Sequence, residues 1–129
     1  MQHDVAVIIF TDSKGLVLLQ QKTYDAPRFP GVWSFFGGGI EEGETPITTA
    51  IREAAEELEV ELLPTDLTFF KAFPYGGREI HVFTAQLPDN TPLVLHEGRG
   101  MGFFSKAESE HLALAEPTVL ILSDYFRSK

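Results

Sequence analysis

The chain has 129 residues, the size of a single domain with one sizeable core. Hydrophobic residues at 43% exclude a disordered chain, and the longest apolar run, Val5 to Phe10, is far too short to span a bilayer. Nineteen acidic residues against ten Lys and Arg give a net charge of −9, which makes the chain a poor candidate for non-specific binding of a nucleic-acid polymer.

Cysteine is absent, so disulfides, thiolate zinc sites and cysteine nucleophiles are excluded. The first residues, Met1-Gln2-His3-Asp4, show no basic stretch leading into an apolar one. The expected location is therefore the cytoplasm, with no membrane partner.

In chain order, Asp4 to Phe10 reads as a strand buried on both faces, being rich in Val and Ile. Asp12 to Gly15 is a turn signal, and Leu16 to Lys22 the returning strand of a hairpin. Thr23 to Gly31, with Pro27 and Pro30, is a loop. Trp33 to Phe36 is a short aromatic strand running into Gly37-Gly38-Gly39. Pro46 in the first turn, with Thr45 as N-cap, opens a helix reaching about Glu59. Leu67 to Tyr75 and Arg78 to Leu87 form a second hairpin about Gly76-Gly77. Pro88 to Pro92 is a loop, and Leu93 to Leu95 and Gly102 to Phe104 are short strands. Ser105 with Glu108 forms a capping box for a short helix, and Pro117 followed by Thr118 to Phe126 a closing helix. The pattern is one α/β domain over residues 1–129 with a mixed sheet.

The acids are unevenly spread. Glu41 to Glu61 holds eight acids and one base, Arg52, for a local charge of −7. Within the helix, Ile47, Ala50, Ile51, Ala54 and Leu58 make one apolar face. Glu53, Glu56 and Glu57 point roughly 120° away from it. Carboxylates at these spacings repel one another, and a helix built for stability alone would place lysine among them. Their chemistry suits a hard divalent cation, Mg²⁺ or Mn²⁺ rather than Zn²⁺, since neither Cys nor His stands at ligand spacing beside them. The glycines ahead of the helix let backbone approach a ligand closely, but no phosphate-loop lysine accompanies them. Polyphosphate held through bridging metal ions is the chemistry this pattern admits.

Gly38, five residues, Glu44, seven residues, then Arg52-Glu53-Ala54-Ala55-Glu56-Glu57-Leu58-Glu59-Val60 resembles the Nudix box. Every charged position and the first glycine match over the 23 residues Gly38–Val60. The resemblance extends over essentially the whole chain and is nearest to the small MutT-type members. Glu59 stands where the family has a helix-ending glycine, so the cap must adopt the left-handed conformation with a less suitable residue or take another geometry. Ala54 is smaller than the usual aliphatic residue, and Phe36 replaces a proline often found before the glycines. None of these removes a charged position.

The resemblance implies an α/β/α sandwich around a mixed sheet and hydrolysis of a nucleoside diphosphate linked to a group X. It implies metal ligation by Glu53, Glu56 and Glu57 with the carbonyl of Gly37 or Gly38. Glu53, or a glutamate outside the box, would deprotonate the attacking water. Arg52 would orient Glu53, and Glu44 would support the loop and helix. Glu97 is the candidate outside glutamate, as ligand or base. Lys22, Arg28 and Arg78 are candidate phosphate or base contacts. The leading substrates are (d)NTPs, including oxidised ones, cleaved to monophosphate and pyrophosphate by a monomer or homodimer. ADP-ribose or dinucleoside polyphosphates are alternative substrates, for which Pro74 and Tyr75 are conflicting signals. A nucleotide-sensing module without catalysis is the alternative outside enzymes.

Overall fold

The computed structural model describes residues 3–129. One seven-stranded mixed sheet is built around β1 (Val5–Thr11). β1 runs parallel to β6 (Arg78–Gln86) along its whole length and antiparallel to β4 (Phe36–Gly39) through Val5–Ile8. β2 (Val17–Gln21) touches β1 only at Thr11↔Val17, then leaves it to pair with β3 (Trp33–Ser34) and β7 (Gly100–Phe104). The first hairpin therefore opens immediately after its Asp12 turn, and β4 takes the place on β1 that β2 vacates. The aromatic segment is split at Phe35 because the chain crosses there from β2 to β1. β5 (Thr68–Tyr75) and β6 form the second hairpin about Gly76-Gly77 as expected.

Alternation along β1 explains the layering. Ala6, Ile8 and Phe10 pack under α1 (Pro46–Leu58), together with Phe36, Ala50, Ala54 and Leu58. Ile9 faces the opposite side, where Val17, Leu19, Phe35, Val82 and α3 (Glu116–Arg127) supply Ile121, Leu122 and Tyr125. The architecture is thus the expected α/β/α sandwich around a mixed sheet. The short helix α2 (Lys106–Ser109) has the capping box read from Ser105 and Glu108, with bonds of 2.8 and 3.1 Å. No helix among the described residues is long and apolar enough to cross a membrane.

The strand expected at Leu93–Leu95 does not form. Its backbone instead closes the C-terminal end of α1: Val94 N–H donates to the Leu58 carbonyl at 3.1 Å and His96 N–H to that of Glu57 at 2.9 Å. These bonds occupy helix-end carbonyls that would otherwise lack partners. They also deliver Glu97 to the end of the helix that carries the glutamates.

Glu59 ends α1 in the left-handed conformation (φ 56°, ψ 38°), and its carboxylate pairs with His96 Nε2. A left-handed side-chain-bearing residue costs about 1–2 kcal/mol, whereas an exposed pair contributes at most about 1 kcal/mol. Glu59→Gly is therefore expected to raise the melting temperature by a few degrees in thermal unfolding. Gly37 behaves oppositely. Its φ is +150° and a Cβ would collide with the backbone of Ala6 and Val7. Gly37→Ala should peel β4 from β1, lowering the melting temperature by about 10 °C or more.

Candidate active site

The site forms where two backbone segments meet the C-terminal half of α1. β4 brings Gly37 and Gly38, the helix brings its glutamates, and the 93–99 segment brings Glu97. Glu57 is 2% exposed, and its Oε1 accepts the Gly37 N–H at 3.0 Å. The Glu97 carboxyl lines the same cleft beside it. Burial, the hydrogen bond with Glu97, and the charges of Glu53 and Glu97 push the Glu57 carboxyl up to about 9. Burial also raises Glu53, against the opposing pull of Arg52.

The three glutamates do not share one equally solvated face. Glu57 lies at the buried flank of the helix, whereas the side chain of Glu53 is 14% exposed and that of Glu56 59%. The reason lies outside the helix, since the Gly37 amide and Glu97 close over Glu57.

Arg52 organises the remaining carboxylates. Its Nε and Nη2 make a two-pronged contact with Glu44 at 2.7 and 3.0 Å. Its Nη1 donates to Glu53 at 3.0 Å and Glu56 at 3.2 Å, and Nη2 also donates to the Gly39 carbonyl at 3.2 Å. Glu44 further accepts the Thr49 hydroxyl at 2.8 Å. The Arg52 contact, with the Glu41 amide and Thr49, holds the Glu44 carboxyl down at about 2. This network ties the loop after β4 to the helix. Gly38 is pressed directly against Glu53: a Cβ there would overlap its carboxylate.

A cleft of about 560 Å³ opens beside Glu57 and Glu97. Its floor includes Gln20, Ser34, Phe35 and Gly37, and its walls are the loops carrying Thr23–Pro27 and His96–Gly98. Lys22 stands in this cleft, with burial lowering its ammonium while Glu97 and Glu57 hold it up. A second cavity of about 470 Å³, on the α3 side of the sheet, shares Lys22, Ser34, Phe35 and Gly37 with the first. Arg28 and Arg78 line it. None of Lys22, Arg28 and Arg78 has a carboxylate within salt-bridge distance among the described residues. In a chain of charge −9, three cations left unpaired along one groove provide a surface for anionic ligand groups.

The donor set around Glu57 fits a divalent cation. Glu57 is nearly fully buried, a single backbone amide donates to it among the described residues, and two further carboxyls lie nearby. Such a cluster is costly without a counter-charge. The side chains do not converge as a closed cage, however. Among the described residues, the three-membered group with ligand atoms all within 4.8 Å is Asp4, Glu79 and His81, and Asp4 there already accepts the Glu79 amide at 3.0 Å. Gln20 was not singled out from the sequence, although it is 6% exposed in the cleft floor. A polar side chain continuing the buried Val17-Leu18-Leu19 run was its available signal.

The NUDIX domain model matches residues 1–119. The chain belongs to the Nudix family. The CTP pyrophosphohydrolase of Escherichia coli (strain K12) is 30% identical over 122 residues, covering 94% of this chain and 88% of that protein. Nucleoside triphosphatase NudI of Escherichia coli O139:H28 is 37% identical over 68 residues, 53% of this chain and 48% of its own length. A structure from a study of MutT from Aliivibrio salmonicida and Vibrio cholerae superposes with a TM-score of 0.82 at 16% identity, covering 100% of both chains. At that identity the likeness is one of fold. The Nudix fold and the hydrolase class expected from the sequence are thus shown.

Proposed function

We propose that this Nudix protein is a divalent-metal-dependent pyrophosphohydrolase that converts nucleoside triphosphates, ribo-, deoxy- or oxidised, to monophosphate and pyrophosphate. The observation that carries the reading is the meeting of buried Glu57 with Glu97 and Lys22 in one cleft, beside the Arg52-bound glutamates of a box with every charge in place. The CTP and nucleoside triphosphate substrates in the names of two relatives support the choice of class.

In this reading Glu53, Glu56 and Glu57, with Glu97 and the Gly37 or Gly38 carbonyl, hold Mg²⁺ or Mn²⁺. When bound, the metal neutralises phosphate oxygens and makes water more acidic. Lys22 holds the phosphate chain over the cleft, and Arg28 and Arg78 contact the substrate in the adjoining cavity. Glu97 or Glu53 takes a proton from the attacking water; the new P–O bond forms as the phosphoanhydride bond breaks and pyrophosphate leaves. Arg52 fixes Glu53, and Glu44 fixes Arg52. The protein acts in the cytoplasm, where free nucleotides are found, as a monomer or homodimer without a nucleic-acid polymer or membrane as partner.

The test is a panel of NTPs, dNTPs, 8-oxo-dGTP, ADP-ribose and Ap4A with Mg²⁺, assayed for each product. Fastest release of pyrophosphate from a triphosphate is the expected result. Preference for ADP-ribose or Ap4A would replace the substrate class. Metal-dependent binding without turnover would make the protein a sensor.

A further inference from the structure

The two loops that wall the cleft are joined at their outer edge by a side chain with no role in the reading above. Arg99 stacks on the ring of Tyr24, its guanidinium carbon 4.3 Å from the ring centre. Its Nη1 donates to Tyr24 Oη and to Gln21 Oε1, both at 3.1 Å. Gln21 in turn donates through Nε2 to the Gly31 carbonyl at 3.0 Å. Tyr24 packs so closely on Gly31 that a Cβ there would lie 2.7 Å from the ring. Arg99 thus holds both ends of the 23–31 loop from the opposite wall.

The backbone beneath this side chain places Glu97. His96 N–H is bonded to the Glu57 carbonyl at 2.9 Å, and Arg99 N–H to the Gln21 carbonyl at 2.7 Å. Glu97 and Gly98 therefore bridge the end of α1 and the end of β2. The bridge is tight, since a Cβ at Gly98 would lie 2.6 Å from the Gln21 carbonyl oxygen. Opposite stands Lys22, close enough to feel the Glu97 charge.

We infer that Arg99 is a positioning residue which, clasping Tyr24 and Gln21 across the mouth of the cleft, fixes Glu97 at its working distance from Glu57 and the substrate. The inference rests on the proposed role of Glu97, and the experiment separates the two. The triphosphate hydrolysed fastest with Mg²⁺ is assayed with wild type, Arg99→Ala, Glu97→Gln and the double variant.

Arg99→Ala should lower kcat about tenfold, within the range for residues that orient a ligand side chain, and leave KM within about threefold. In the Glu97→Gln background the same change should cost nothing further, because both act through one group. Equal losses in both backgrounds, or full activity of Arg99→Ala beside an impaired Glu97→Gln, would overturn the clasp and leave the role of Glu97 standing. An unimpaired Glu97→Gln would overturn that role instead.

Amide hydrogen exchange in metal-free protein then judges the clasp independently of turnover. The Arg99 and Gly31 amides should exchange faster in Arg99→Ala, and in Tyr24→Ala, which opens the clasp from the other side, while the His96 amide stays protected. Unchanged exchange in both variants would overturn the inference.

Discussion

Glu57→Gln should abolish turnover and at the same time make the metal-free protein more stable. The amide keeps the shape of the carboxylate, and its oxygen still accepts the Gly37 N–H. It removes, however, a carboxyl that must hold its proton far above the ordinary range at a position that is 2% exposed and crowded by Glu53 and Glu97. Keeping that group protonated at pH 8 costs at least about 1–3 kcal/mol, so a rise of roughly 5 °C or more in melting temperature is expected there. The sign with pH follows from the raised carboxyl. The fold favours the protonated form, so metal-free wild type should lose stability as pH climbs from 4.5 towards about 9. Glu57→Gln should lack that decline, and Mg²⁺ should remove it from wild type. On the proposed reading, in which Glu57 holds the metal, the change should lower kcat/KM by at least about 100-fold. Steady-state kinetics and thermal scans of the two proteins with and without Mg²⁺ check both halves.

Arg52→Ala should be the second most damaging change. One guanidinium contacts Glu44, Glu53 and Glu56 directly, with Glu41 at 3.4 Å. Without it, Glu53 loses the donor that orients it, and the loop after β4 loses its tie to α1. A fall in kcat of about 10- to 100-fold is expected. Arg52→Lys should recover little, since an ammonium cannot reproduce the two-pronged grip on Glu44. Acid behaviour gives a separate readout. The Glu44 carboxyl is lowered from 4.5 to about 2, so its contribution is complete above 4.5 and lost as pH falls towards 2. Denaturant titrations between these pH values should show a shallower loss of stability in Arg52→Ala than in wild type.

Much of this was legible in the chain itself because it is local. The α1 cap, the Ser105–Glu108 box and the Gly76-Gly77 hairpin depend on neighbours within a few residues. The charge pattern of the box was legible because few sequences place those carboxylates at those spacings. What escaped was long-range. Nothing near Leu93–Leu95 says that its amides will bond to α1 rather than to a strand. Nothing in α1 says that Gly37 and Glu97 will bury Glu57 more deeply than its neighbours. The opening of β2 away from β1 depends on β4 and β7, whose partners lie far along the chain. Glu59 shows the intermediate case. The missing glycine was visible, but its pairing with His96 37 residues on was not.

The most direct test of the account is phosphorus NMR of a nucleoside triphosphate incubated with Mg²⁺ and the wild-type protein, with Glu57→Gln and metal-free samples alongside. The account predicts monophosphate and pyrophosphate in equal amounts, no orthophosphate at early times, and neither product in the two controls. Diphosphate with orthophosphate, or turnover unchanged in Glu57→Gln, would contradict it.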